Sequence, residues 1–567
     1  MLISLAFWSL PVLVVLLAGW AGTRFGGERA RRVLALPQSR WAPLVAGLVT
    51  GLVIWYVWGC TLRQIPFIHD EASYVLQAET FAHFRWAMPS PPLPEFFEQF
   101  HVLVTPTFAS KYPPGHGLLL VPGFWLGLPG LVPLLLNALA GALLFLLVRR
   151  AINAWVATLT LVLWLPLSGN LLFRPSYLSE NTTSVLWLLG WWGLLRWRED
   201  GRERWLLLLA GCTGWMAITR PLTAVAFAIP AGIVVLWYTA RTQRWRALVR
   251  PMLLGVAILS LLPVWSAKTT GNWRETPYAL YTKLYLPFDV MGFGLDSTPP
   301  RRALPADMQV LTDVFSQMHA AHTLDHVPED LFDRWRAMFV DAFRGARLSL
   351  ALFAAAGLLV LPATAWFAVA GSLVLTGCYL VYAHDPSWVL YYLEIMPIFP
   401  LLTACGVWGV WLALGGERVH RRRMLLQRTT PQAAVAGLIF GTLLLLPARA
   451  DVVRTRRLQT TRRAYQVSFA TAASRLPDAR TVVFIRYAPW HLVNRSLLAN
   501  QADLPDARTW FVYDRDAENA KLLALAPGRA PYLYDERTRR LVRLAHPSRP
   551  AASPAGDSVL AAAKPRS

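Results

Sequence analysis

Charged side chains are scarce in this 567-residue sequence, at 16% of the total, against about 25% in soluble globular proteins. With 55% of residues hydrophobic, there is too little charge to cover a soluble particle of this size. Cysteine is scarcer still. Cys60, Cys212, Cys378 and Cys405 all lie in or beside apolar stretches and none forms a CxxC pair, which argues against a structural disulfide or a zinc site. Neither a GxGxxG nor a Walker motif occurs, so nucleotide binding has no support. The first 22 residues lack a basic n-region and read as a membrane span, not a cleaved signal peptide. Acidic residues number 33 against 55 Lys and Arg, a net charge of +22. A soluble chain this basic would suggest nucleic acid, but no nucleic-acid motif is present, and much of the positive charge sits in short loops between apolar runs, where topology signalling accounts for it.

What the sequence has in abundance is apolar runs of membrane-spanning length. They fall near 2–22, 42–60, 131–148, 153–171, 182–197, 205–219, 222–238, 251–267, 346–361, 365–382, 391–414 and 432–448. This predicts a polytopic α-helical membrane protein with about twelve transmembrane helices. The 26 Trp residues suit the membrane–water interface. The stretch 117–128 is apolar but short and broken by Gly and Pro, and is expected to be re-entrant or interfacial. Arginines at 24–40, 149–150, 196–204, 241–250 and 418–428 place those connectors in the cytoplasm by the positive-inside rule. Residues 61–116, 172–181, 268–345, 383–390 and the tail then face outward. The chain divides into a transmembrane domain, 1–450, with long outer loops 61–116 and 268–345, and a small α/β extracytoplasmic domain, 451–546. The strand-like segments of the latter are TVVFIRY at 481–487, TWFVYDR at 509–515 and Pro531–Asp535. A Pro-, Ala- and Ser-rich tail, 547–567, is expected to be disordered.

Five polar motifs fall on the outer side. His69-Asp70-Glu71 puts two adjacent carboxylates near the membrane surface, a costly place unless they are wet or paired; the competing reading is a helix N-terminus, where Asp caps and Glu favours the first turn. Lys111-Tyr112-Pro113-Pro114-Gly115-His116 is a tight extended turn whose Lys can neutralise a phosphate at head-group depth, or simply snorkel. Arg174-Pro175-Ser176-Tyr177-Leu178-Ser179-Glu180 joins two spans. Thr219-Arg220-Pro221 sets an arginine outside, against the topological bias. Tyr391-Tyr392-Leu393-Glu394 opens a late span with a carboxylate.

In this order the motifs resemble the GT-C glycosyltransferases, in the branch with protein O-mannosyltransferases and the lipid A aminoarabinose transferase. That branch pairs an acidic couplet, here Asp70-Glu71, with a Lys-Pro-Pro-like turn, here Lys111-Tyr112-Pro113-Pro114 with Tyr inserted. A second acidic residue matches Glu180, the Arg-Pro turn matches Arg220-Pro221, and the “RY…P…P” segment matches 391–400 with Tyr391 where Arg is common. The resemblance covers roughly 42–414. It implies transfer of a sugar from a polyprenyl-phosphate donor, with inversion, on the outer face of the plasma (inner) membrane, to a lipid, glycan or protein acceptor. It also implies Asp70 as general base, with Glu71 and Glu180 beside it. Lys111, Arg174 and Arg220 would bind the donor phosphate, and Tyr112, His116, Tyr177, Tyr392 and Glu394 would position substrate. No cofactor is expected, and no ligand cluster demands a divalent metal. Two other classes compete: a secondary transporter, for which the chain lacks an internal repeat, and a non-catalytic binder or scaffold for lipid-linked sugars.

Overall fold

The computed structural model describes residues 2–27, 30–415, 426–491 and 496–545. The tail 547–567 and most of the arginine connector 418–428 lie outside the described residues. The architecture is predominantly helical. Four helices are long and apolar enough to cross a membrane: Leu131–Ala151, Pro221–Thr242, Trp245–Thr270 and Pro431–Ser474. Two bent pairs qualify jointly, Arg32–Gln38 with Ala42–Val57 (70°) and Leu324–Ala342 with Arg347–Val360 (109°), giving up to six. Several of the apolar runs read from the sequence fold as shorter helices because turns interrupt them. The run 153–171, for example, breaks after Trp164 at Leu165-Pro166-Leu167. One flank of Trp245–Thr270 shows Val249, Met252, Leu253 and Val256 more than half exposed, an apolar surface of the kind that suits contact with lipid. The stretch at 117–128 lies in the 12-residue helix Pro114–Trp125, about 18 Å long at 1.5 Å per residue, too short for a ~30 Å hydrocarbon core.

The charged connectors gather at one end. Arg150 makes a bidentate pair with Glu199 (2.8 and 2.7 Å), Arg149 donates to the Ser39 carbonyl (3.1 Å), and Arg250 meets Glu203 (3.4 Å). The helix Glu180–Asp200 ends there at Gly201, whose φ of +66° is the left-handed stop that glycine supplies without a steric penalty. Its other end carries Glu180 and points to the opposite side of the bundle.

The helix Pro431–Ser474 is capped by Thr430, whose side chain accepts from Ala433 N–H. It runs without a break through the boundary drawn from sequence at 450/451. Its 44 residues reach about 66 Å, which carries its outer half well past the apolar bundle. There it meets two small sheets. The first, within 61–116, pairs β1 (Met88–Pro89) and β2 (Val102–Leu103) with β3 (Thr107–Ser110). The second has the order β5-β4-β6-β7, with β4 (Thr481–Arg486), β5 (Thr509–Tyr513), β6 (Ala530–Asp535) and β7 (Arg540–Arg543). β4 is parallel to β5 and β6, and β7 is antiparallel to β6. A strand covered on both faces needs a continuous apolar run, not alternation, and the Val-Val-Phe-Ile core of β4 supplies it. Val482 and Phe484 pack with Phe96, Phe97, Val102 and Phe108 of the outer loop, while Val483 and Ile485 pack with Phe469 of the long helix. The tail sheet therefore shares its core with the segment 61–116.

Candidate functional site

The helix His69–Ala82 starts after Ile68, which is extended and gives no side-chain cap. Asp70 and Glu71 thus occupy the first turn, favourable against the helix dipole, and neither is spent as the cap. Asp70 Oδ1 accepts from the Tyr112 hydroxyl, and its Oδ2 lies 3.8 Å from His101 Nε2. Its carboxylate is 38% exposed. Tyr112 stacks on Tyr74 at 4.7 Å. The Tyr74 hydroxyl donates to Ser179 Oγ (2.9 Å), next to Glu180, and Glu180 Oε1 pairs with Arg220 Nη1. Arg220 Nη2 donates to the Tyr379 hydroxyl (2.7 Å), and its guanidinium lies 5.5 Å from the Tyr391 ring centre. Hydrogen bonds and an ion pair, joined by the Tyr112–Tyr74 ring stack, thereby connect Asp70 to Arg220.

The close approach of two motifs rests on one glycine. Gly115 N–H donates to the Ile218 carbonyl (2.7 Å), and a Cβ on Gly115 would lie 2.3 Å from Thr219 Oγ1 and 2.8 Å from the Ile218 oxygen. Only glycine lets the 111–116 turn sit against the turn that carries Arg220.

The other residues picked from the sequence take different places. Glu71 is buried; it accepts from Tyr177 N–H (3.0 Å) and Phe67 N–H (3.2 Å) and faces Arg463 at 3.9 Å. It thus ties three chain segments together. Burial pushes its carboxyl above the ordinary range, against the pull of Arg463 and the backbone donors. Lys111, expected as a phosphate ligand, is 2% exposed and paired with Asp289 at 3.2 Å. The rings of Tyr278 and Tyr281 lie 4.4 and 4.8 Å from its ammonium. Burial, the largest single influence, raises the Asp289 carboxyl, but Lys111 together with His319 and His101 offsets it and leaves the group below its ordinary value. Arg174, expected in the same role, is 1% exposed. It donates to Asn170 (2.9 Å), Ser184 (3.3 Å) and the Leu393 carbonyl (3.3 Å), so its fork is engaged inside the bundle and braces the turn before Glu180.

His116, Tyr177 and Tyr392 are likewise buried. His116 lies between Thr182 Oγ1 and the Tyr177 carbonyl, both at 2.8 Å. The carbonyl can only accept, so Nε2 carries the proton and Nδ1 accepts from Thr182. The Tyr177 hydroxyl donates to the Gln64 carbonyl (2.9 Å), and the Tyr392 hydroxyl meets His384 Nε2 (2.9 Å). Glu394 accepts from Thr183 Oγ1. These residues hold the frame on which the exposed carboxylate stands.

Three residues at the site escaped sequence reading. His101 flanks Asp70 with φ +63°, a backbone state that non-glycine residues enter at a cost. Burial, then the Lys111 charge, holds its imidazole well below the ordinary range, so it is neutral at pH 7. Asp289 is a single acid in the apolar segment Leu286–Phe293, a weak signal that was available. Arg463 reaches Glu71 from 392 positions downstream, with no signal in sequence. Among the described residues no group of three His, Cys, Asp or Glu is placed to hold a metal ion.

No protein-family model and no curated protein matches the sequence. Solved structures do resemble it. ArnT from Cupriavidus metallidurans, bound to undecaprenyl phosphate, is similar over 88% of this chain and 90% of its own, at 15% identity and a TM-score of 0.47. The Archaeoglobus fulgidus oligosaccharyltransferase is similar over 86% of this chain and 67% of its own, at 11% identity and a TM-score of 0.42. Arabinofuranosyltransferase AftD from Mycobacteria is similar over 89% of this chain and 36% of its own, at 16% identity and a TM-score of 0.38. These structural neighbours, which cover most of the chain, are GT-C glycosyltransferases.

Proposed function

We propose that this protein is a GT-C-type membrane glycosyltransferase with about twelve membrane crossings, the shorter apolar helices included. It moves a sugar from a polyprenyl-phosphate donor to an acceptor at the outer face of the plasma membrane. The observation that carries this reading is the contrast among the motif charges. Glu71, Lys111 and Arg174 are buried and paired, whereas Asp70 keeps a carboxylate 38% exposed and is linked by Tyr112, Tyr74 and Ser179 to the Glu180–Arg220 pair. Arg220 is itself only 10% exposed and paired with Glu180, so Asp70 is the one of these motif charges with an open carboxylate, and it stands within reach of a cation through that relay.

The chemistry follows from that pairing. The acceptor hydroxyl attacks the anomeric carbon from the face opposite the phosphate, and Asp70 takes its proton as the carbon–oxygen bond to the phosphate breaks. The lipid phosphate leaves with the bonding electrons, so the product is inverted. A guanidinium has five N–H donors; Glu180 and Tyr379 use two of those on Arg220, and the remaining N–H groups are the donors proposed for the phosphate oxygens. Lys111 and Arg174 support the site from within. The isoprenoid tail stays in lipid while the sugar reaches the surface.

The test is turnover. Purified protein in lipid nanodiscs is given radiolabelled polyprenyl-phosphate sugars extracted from envelope membranes. Label should leave the lipid and appear on an acceptor or in water, with inverted anomeric configuration by NMR. Absence of label release from every lipid-linked sugar overturns the reading. Sugar flux across proteoliposomes without label release points to a transporter instead.

A further inference from the structure

Beside the first turn of the helix His69–Ala82 lies a cavity of about 270 Å³, walled by the outer loop, the outer part of the long helix and the tail domain. We propose that it is a subsite for one uncharged sugar ring of the acceptor, an inference that rests on the transferase reading and makes the acceptor a glycan.

The lining has a definite chemistry. It contains no Asp, Glu, Lys or Arg, which disfavours phosphate, nucleotide or acidic sugar. Phe67, Phe100 and Phe469 present aromatic surface, and Gln64, Gln99 and Gln466 present amides. Rings that pack on C–H faces, with amides that both donate and accept, match a neutral carbohydrate. The size agrees: the volume is near the lower end of the roughly 300–1,000 Å³ of small-ligand pockets, enough for one pyranose and too little for a prenyl chain.

Gln466 supplies an independent observation. Its Nε2 donates to the Phe67 carbonyl at 3.1 Å, which fixes the amide orientation. Its Oε1 is buried with no partner among the described residues, and the residue is 5% exposed. A buried acceptor left unpaired is costly; with almost no accessible surface of its own, this oxygen would meet a sugar hydroxyl once a bound ring draws the side chain toward the cavity that Gln466 lines. Position supports the same assignment. His69 lines the cavity and Asp70 follows it on the next face of the same turn. A glycan with one ring in the cavity would carry its neighbouring residue toward the proposed base.

The experiment uses the full-length protein in nanodiscs and saturation-transfer NMR. The probes are methyl glycosides of glucose, galactose, mannose and N-acetylglucosamine at millimolar concentration. At least one should receive saturation from the protein. Ala470→Trp, which fills the cavity, should abolish that signal, and Gln466→Leu should weaken binding about tenfold, the worth of one hydrogen bond. Binding of polyprenyl phosphate, measured on the same samples, should be unchanged and reports intact folding. No signal from any glycoside, or a signal that survives Ala470→Trp, overturns the subsite. Saturation of an alkyl probe with none of the glycosides also overturns it, by marking an apolar pocket. Glycoside binding without polyprenyl-phosphate binding would instead sink the transferase reading.

Discussion

Replacing Asp70 by Asn tests the proposed mechanism most directly, because the structure separates its chemical cost from its structural one. The Asn side-chain oxygen still accepts from Tyr112, the bond that Asp70 Oδ1 makes now. The amide nitrogen faces His101, 3.8 Å from the present oxygen, too far for a hydrogen bond to be lost. What disappears from the fold is the charge in the first helical turn, worth about 0.3–1 kcal/mol at a partly exposed site. What disappears from the chemistry is the proton acceptor, worth roughly 10²–10⁴-fold in rate. The assay is single-turnover release of labelled sugar from the lipid donor, run beside a thermal melt and a donor-binding titration. Turnover should fall by that factor, while the melt and the donor affinity stay near wild type. Turnover within about threefold of wild type, with the protein folded, would refute the assignment of Asp70 as base. Loss of both turnover and thermal stability would refute the separation of roles drawn from its exposure.

Glu71→Gln keeps one carbonyl oxygen for two backbone donors, Phe67 and Tyr177, and loses the charge opposite Arg463. It should cost about 1–3 kcal/mol of stability in the melt, with turnover reduced less than in Asp70→Asn. Lys111→Met strands a buried Asp289 and should destabilise by roughly 3–5 kcal/mol. Lys111→Met with Asp289→Asn should regain most of that stability and normal donor binding, and a stable double variant that fails to bind donor would make Lys111 a phosphate ligand after all. The same pair predicts acid sensitivity. Asp289 sits below its ordinary value near 3.9 because Lys111, with His319 and His101, offsets its burial. Its contribution is complete above the unfolded value and is lost as pH falls through the lower folded value. Melting temperature between pH 5 and 3 should therefore drop more steeply in wild type than in the double variant. Gly115→Ala places a Cβ 2.3 Å from Thr219 Oγ1 and should lower donor affinity by displacing Arg220, read as a raised KM with a smaller change in kcat.

Composition and hydropathy determined that this chain is a helical membrane protein, since scarce charge and long apolar runs leave lipid as the compatible solvent. Local pattern also determined where β4 would lie, because Val482–Ile485 is apolar at every position and β-branched or aromatic throughout. Asp70, Lys111, Glu180 and Arg220 stood out singly, as charges at the ends of apolar runs. Their division of labour did not. Lys111 and Arg220 look alike in sequence, each a cation at a proline turn, yet Lys111 is 2% exposed against Asp289 while Arg220 is 10% exposed against Glu180. That difference depends on Asp289, Tyr278 and Glu180, more than 160, 160 and about 40 positions away from their partners. The helix through 450/451 was likewise hidden, because its apolar half reads as a span and its polar half as tail, and hydropathy reports the solvent around a helix, not its continuity. The shared core of the tail sheet and the first outer loop, and the cavity between them, exist only in three dimensions, where Phe96 and Phe484 meet across 388 residues of chain.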